Sequence, residues 1–210
     1  MPTTLVLGAG GLGLSIARAF QLDGHAVLLV GRSGTDGAAL GVPELGADLG
    51  EPSEMDRVCL WAAEKSEGGV EVLVLAMGDM VGGAVSTTTP AVMERLFRNN
   101  VAAVHLGLSR TVPLLAAGAH RFVLGAYVER LALPKLGAYA AAKAAVDSLV
   151  RAAMKEDRTV KTTLLRLPAV DTGLWKKAPY PLPKEALSPD AVGESVVRAW
   201  KDGKTGVLDL

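Results

Sequence analysis

The chain reads as an α/β protein: a single-domain, doubly wound parallel β-sheet of about seven strands with helices on both faces. Three observations predict this. The N-terminus passes from an apolar run through a glycine cluster into a helical repeat and then a second apolar run. Short apolar runs go on alternating with stretches of helical periodicity to the end of the chain. Half of the 210 residues are hydrophobic, enough for one substantial core in one domain over residues 1–210.

The elements follow in order. Residues 4–7 form a short apolar strand, broken by Gly8-Ala9-Gly10-Gly11-Leu12-Gly13. Leu12, Ile16 and Phe20, with Ala17 and Ala19 beside them, then recur at helical spacing until Asp23-Gly24 stops the helix. Residues 26–30 are a buried strand, residues 44–47 a third, 53–66 a helix, and 70–76 a strongly apolar fourth strand. A long helix is expected over 90–117, its buried stripe marked by Val101, Val104, Leu108, Val112 and Leu115, with Pro113 bending or ending it. Residues 121–126 read as the fifth strand, 138–155 as a helix and 160–167 as the sixth strand. The proline-rich segment 168–188 lacks periodicity and reads as a long loop or lid. Ser188-Pro189-Asp190 caps a last helix reaching Asp202, and residues 206–210 form a final edge strand.

Bulk properties exclude some functions. Lys plus Arg equals Asp plus Glu at 22 each, so no global field draws nucleic acid or an anionic membrane. Cys59 stands alone, which fits a reducing cytosol. Met1-Pro2-Thr3-Thr4 lacks a basic leader region, and no apolar run reaches the ~18 residues of a membrane span. The expectation is a soluble cytoplasmic chain. His25, His105 and His120 fit no metal spacing and read as surface or helix residues.

Gly8, Gly10 and Gly13 form G-x-G-x-x-G between a strand and a helix. Glycine permits the tight turn, the approach of backbone to a pyrophosphate, and close helix–strand packing. The helix-start amides around Gly11 and Leu12, with the macrodipole, then hold the phosphates. The second strand ends Val30-Gly31-Arg32-Ser33, with no acid where an unphosphorylated ribose is usually held. Arg32 can pair with a 2′-phosphate and Ser33 can add a hydroxyl, so NADP(H) is preferred. NAD(H) stays open, because Arg32 can equally cap a strand at the surface.

Tyr139 and Lys143 stand four residues apart in an alanine-rich helical stretch, so they share one face. An ammonium beside the phenol favours phenolate and lowers the tyrosine pKa from about 10. Such a tyrosine can exchange a proton with an alcohol or carbonyl oxygen. Tyr180 and Lys184 repeat the spacing, but Pro181 and Pro183 between them exclude a helix.

On these residues the chain resembles the short-chain dehydrogenase/reductase family over nearly its whole length. Asn100 in Arg98-Asn99-Asn100-Val101, Asp48-Leu49 after the third strand, and Val170-Asp171-Thr172 after the sixth also correspond. The resemblance implies a Rossmann-like fold and hydride transfer between a nicotinamide and a small carbonyl or alcohol substrate. It implies that Tyr139 is the acid/base, that Lys143 lowers its pKa and holds the nicotinamide ribose, and that Asn100 maintains a water-linked proton route. Asp48 would contact the adenine and Thr172 the carboxamide or phosphate side, with Leu49, Pro168 and Val170 also among the cofactor-binding residues. The family's Asn-Asn-Ala-Gly appears as Leu75-Ala76-Met77-Gly78, keeping Gly78. A homodimer or homotetramer through helices 90–117 and 138–155 is implied as well.

One departure bears on chemistry. The family's serine position holds Ala126, and the nearest hydroxyl is Tyr127. Ala126 and Tyr127, with Leu174 and Trp175 from the lid, are the candidate substrate pocket. Two readings stand: an NADPH-dependent carbonyl reductase or reverse alcohol dehydrogenase, and a non-enzymatic NADP(H)-binding sensor or structural protein of the same fold.

Overall fold

Runs of valine and leucine that are apolar at every position need cover on both sides, and parallel strands beneath two helix layers supply it. In the computed structural model, which describes residues 1–210, these runs become strands Thr3–Leu7 (β1), Ala26–Gly31 (β2), Glu44–Gly46 (β3), Val70–Leu75 (β4), Leu115–Ala126 (β5), Lys161–Leu167 (β6) and Gly206–Asp209 (β7). They form one sheet in the order β3-β2-β1-β4-β5-β6-β7, and every neighbouring pair is parallel. The helices are Gly11–Leu22 (α1), Pro52–Lys65 (α2), Pro90–Phe97 (α3), Ala103–Arg110 (α4), Gly137–Glu156 (α5) and Pro189–Lys201 (α6). None is long and apolar enough to cross a membrane.

Strand alternation splits the interior into two cores. Leu5, Leu7 and Val123 face one cluster of 22 buried residues with α2, α4 and α5. Val6, Phe122 and Leu124 face a second cluster of 18 with α1 and α6. Burying one such side chain contributes about 1.5–3 kcal/mol. Ser188 caps α6 as expected, its hydroxyl accepting the Ala191 N–H at 3.1 Å ahead of Pro189.

Three expectations need correction. The helix over 90–117 is not continuous: α3 passes through a π-helical turn, Arg98–Ala102, into α4, which ends at Arg110. Pro113 cannot donate to a helix, so Val112 is left exposed, and Leu115 pairs with Val70 as the start of β5. The fifth strand therefore begins well before residue 121. His25 and His120 are buried rather than superficial, each bonded to a threonine hydroxyl, Thr4 and Thr163, at 2.8 Å.

Strand order reverses between β1 and β4. From β1 the chain moves one way to β2 and β3, and from β4 the other way to β7. The crossovers diverge there and leave a crevice beyond the carboxyl ends of β1 and β4, where open α/β sheets bind ligands.

Candidate active site

The glycine turn opens into that crevice. Gly8 has φ +112°, and a Cβ on it would lie 2.7 Å from the Ala76 carbonyl carbon. A Cβ on Gly13 would lie 1.8 Å from the Gly8 oxygen. These two positions let the backbone close on itself. Gly10 differs: it is exposed, with nothing within 4 Å of where a Cβ would stand. It is also the N-cap of α1 and supplies no side-chain bond, so the first amides of the helix, around Gly11 and Leu12, face open space. Leu12 turns its side chain to the α1–α6 core.

A cleft of about 320 Å³ runs past this turn, from Arg32 and Asp36 along Asp48 and Leu49 to Gly78, Asp79 and Lys177. Free amides in the middle and a cation at the ribose end fit a dinucleotide. A larger hollow of about 530 Å³ lies between α1 and α6. It holds none of the candidate residues and stands away from the switch point, so the smaller cleft is the candidate site. Ser33 lies outside the cleft lining, its hydroxyl oxygen accepting from the Thr35 N–H at 3.3 Å. Asp48 is already engaged, accepting the Gly50 N–H at 3.1 Å and pairing with Arg98. Asp36, unnoticed in the sequence, sets a carboxylate oxygen 2.8 Å from where a Gly31 Cβ would stand.

Lys143 and Asn100 meet at the other end, with Tyr139 buried one helical turn before Lys143. Tyr139 and Lys143 are both buried on α5. The Lys143 Nζ donates to the Leu124 carbonyl at 3.3 Å. Asn100 lies in the π-helical turn, and its Nδ2 donates to the Leu96 oxygen at 2.9 Å and the Asp79 oxygen at 3.0 Å. Its Oδ1 accepts the Asp79 N–H at 3.3 Å. A Cβ on Gly78 would stand 3.2 Å from Asn100 Oδ1 and 3.8 Å from Lys143 Nζ, so the missing side chain leaves these two groups facing across one gap.

The electrostatics differ from the sequence expectation. Burial pushes the Tyr139 phenol up to about 12, with no opposing influence from Lys143. Burial likewise lowers Lys143 to about 8. Desolvation outweighs the expected charge tuning in the free chain.

The candidate pocket residues separate. Ala126 ends β5 opposite Leu167 and brings no donor. Tyr127 is no stand-in for serine: its hydroxyl donates to the Leu210 carbonyl at 2.9 Å, and its ring lies beside the Arg130 and Arg166 guanidiniums. Leu174 packs with Ala178, Tyr180 and Leu131 around Tyr139, Met80 and Leu136, whereas Trp175 is outside this cluster. The lid is thus partly ordered: Gly173–Lys177 forms a helical turn, and Val170 bridges to Leu187. Pro168 is half-buried at the start of this segment, and the Thr172 methyl faces Gly11, 3.9 Å from where its Cβ would stand.

Asp79, Arg95 and Lys177 were not found from sequence. Burial alone would raise Asp79, but hydrogen bonds from Lys177 and Arg95 outweigh it and hold the carboxyl below its ordinary value.

Known proteins share this fold. The family profile described as enoyl-(acyl carrier protein) reductase matches residues 7–173. An alcohol dehydrogenase from the archaeon Thermococcus sibiricus, solved with 5-hydroxy-NADP, is 26% identical with a TM-score of 0.90, covering 100% of this chain and 96% of that one. A protein provisionally called a short-chain oxidoreductase, from Thermus thermophilus, is 32% identical with a TM-score of 0.81 and 95% coverage of both chains. The cyclic-di-GMP-binding biofilm dispersal mediator protein of Escherichia coli is 26% identical over 71% of this chain and 64% of its own length. A second curated relative, 31% identical, is matched over 27% of its length. With its seven-stranded parallel sheet and the match over residues 7–173, the chain belongs to the short-chain dehydrogenase/reductase family of oxidoreductases.

Proposed function

We propose that the chain is a reductase that moves hydride between NADP(H) and an apolar carbonyl or alcohol substrate, with Tyr139 handling the proton. The observation that carries this reading is the burial of Asn100 and Lys143 against Gly78 at the end of the cleft, with Tyr139 buried one helical turn before Lys143 on α5. When bound, the cofactor supplies or accepts the hydride. The rest is work for the chain. A phenol held near 12 stays protonated at neutral pH, which suits donation to a carbonyl oxygen during reduction. Lys143, near 8, still carries its proton at pH 7 and, facing the same gap at Gly78 as the Asn100 amide, is the next source. Met80, Leu136 and Leu174 around the phenol favour an apolar substrate. Lys177 is already paired with Asp79, so its charge does not select an anionic one.

Arg32 at the ribose end supports NADP(H), as does the 5-hydroxy-NADP in the Thermococcus relative. Asp36 favours a second reading, NAD(H), since a carboxylate beside Gly31 can accept a ribose hydroxyl. The non-enzymatic alternative rests on Ala126 alone and gains nothing from the buried Lys143 and Asn100 facing one gap.

The test is single-turnover oxidation of NADPH with a panel of apolar ketones, aldehydes and quinones, comparing the wild type with Tyr139→Phe. The expected result is turnover that falls about 10²–10⁴-fold in the variant. Rates indifferent to the substitution reject Tyr139 as the proton donor. NADPH binding without turnover on any substrate returns the non-enzymatic reading.

A further inference from the structure

Asp79 carries two grips at once. Its carboxylate is 3% exposed and takes donors from several parts of the chain. Oδ1 accepts the Met80 N–H at 2.9 Å and Lys177 Nζ at 2.6 Å. Oδ2 accepts Arg95 Nε at 2.8 Å and Nη2 at 2.6 Å, with Asn99 Nδ2 at 3.4 Å. Its main chain meanwhile holds the Asn100 amide from both sides, N–H to Oδ1 and carbonyl to Nδ2. Lys177 ends the lid turn that carries Leu174, which packs against the Tyr139 cluster.

We propose that Asp79 is a positioning residue that fastens the lid over Tyr139 through Lys177 while its backbone sets the Asn100 amide, so lid closure and the relay side of the site are ordered together. A carboxylate this deeply buried keeps its cations, because leaving it unpaired is strongly unfavourable. The two cations are not equivalent. Arg95 belongs to α3 and holds Oδ2 through two nitrogens, whereas Lys177 ends a short helical turn and holds Oδ1 through one. Lys177 is therefore the part of the clasp that can open, with Arg95 left to neutralise the carboxylate. The role assigned to Tyr139 and Asn100 rests on the reductase reading; the clasp does not.

Hydrogen–deuterium exchange on the full chain, with no nucleotide added, tests the clasp directly. In Lys177→Met the Trp175 and Ala178 amides of the lid turn are expected to exchange about tenfold faster, as the loss of a charged hydrogen bond implies. Lys177→Arg is expected to restore protection. Lid exchange unchanged in Lys177→Met overturns the proposal whether or not the chain binds nucleotide. Kinetics test the coupling: Lys177→Met should raise KM and lower kcat as well, in the same direction as Asp79→Asn, because freeing the lid also loosens the Asp79 loop that holds Asn100. A Lys177→Met variant that raises KM but keeps the wild-type kcat overturns the coupling. If Asp79→Asn fails to fold, the Lys177 exchange series alone decides. A wild type that never oxidises NADPH sinks the reductase reading and leaves the exchange result to decide the clasp.

Discussion

The two walls of the cleft are held by different forces. On the β1–α1 side, Gly8 and Gly13 remove side chains so that backbone closes on backbone at van der Waals distance. On the α3–lid side, Asp79 gathers Arg95 and Lys177 by charge, and both cations reach solvent. A glycine turn admits no intermediate state, because an added methyl either fits or collides. A charged clasp can open one side chain at a time. The glycine wall is therefore rigid, and the charged wall is adjustable.

The sharpest way to break this contrast is to add one carbon to the rigid wall. Gly13→Ala would push a Cβ to 1.8 Å from the Gly8 oxygen, so the turn must move. Overpacking of that kind costs about 1–3 kcal/mol, and NADPH affinity should fall about 100-fold or more with the displaced amides. Gly10→Ala meets nothing within 4 Å, so its melting temperature should match the wild type. Its methyl would nonetheless stand where a pyrophosphate approaches, and affinity should fall. Calorimetric titration and thermal melts separate the two; a stable, tight-binding Gly13→Ala would show that this wall yields after all.

The walls also differ in how far they can be read from the chain. Gly8, Gly10 and Gly13 lie within six residues of each other and carry their meaning locally. Tyr139 and Lys143 are one helical turn apart, again a local fact. Asp79, Arg95 and Lys177 look ordinary one by one, and only the strand order and the lid's return path bring them together. Asp36 is illegible in the sequence for a similar reason. It lies beyond Gly34 in a loop that folds back because Glu44 accepts the Asp36 and Gly37 amides. The helical stripe ran past Pro113 because Leu115 fits its spacing, yet pairing with Val70 in the sheet prevailed. Local periodicity cannot weigh a partner so far back along the chain.

A second prediction concerns the group buried between the walls. Lys143 is lowered from 10.5 to about 8 by burial, so between about pH 8 and 10.5 the unfolded chain binds more protons than the folded chain. Stability therefore rises with pH through that window. Below it, burying the ammonium costs on the order of 3 kcal/mol. Tyr139 acts oppositely and higher: with its phenol raised from 10 to about 12, stability falls between those values. Lys143→Met should abolish turnover, raise the melting temperature at pH 7 and remove the rise from pH 8 to 10. Parallel melting curves for both proteins across that range would contradict this.

Ala126→Ser sharpens the substrate end. It restores a hydroxyl to the end of β5, where the proposed reductase otherwise has Tyr139 alone to act on the substrate oxygen. A single donor of this kind is worth about 10²–10³ in rate when removed, and adding one to a site not built around it should give about tenfold. The single-turnover assay reads it directly. No gain would mean that the substrate oxygen lies elsewhere.

The smallest expected effect decides the cofactor, and it belongs to the far end of the rigid wall. Arg32 and Asp36 both reach the ribose end of the cleft with opposite charges, and both are exposed. A 2′-phosphate gains from the guanidinium and is repelled by the carboxylate; a bare 2′-hydroxyl can donate to the carboxylate and has little use for the arginine. Arg32→Ala should weaken NADPH about tenfold and leave NADH unchanged, while Asp36→Asn should tighten NADPH and weaken NADH. Because the groups are solvated, raising salt should shrink the NADPH effects of both substitutions. Fluorescence titration with each nucleotide measures all four changes. If Arg32→Ala leaves NADPH binding intact and Asp36→Asn costs NADH most of its affinity, Asp36 governs this end and the cofactor is NAD(H).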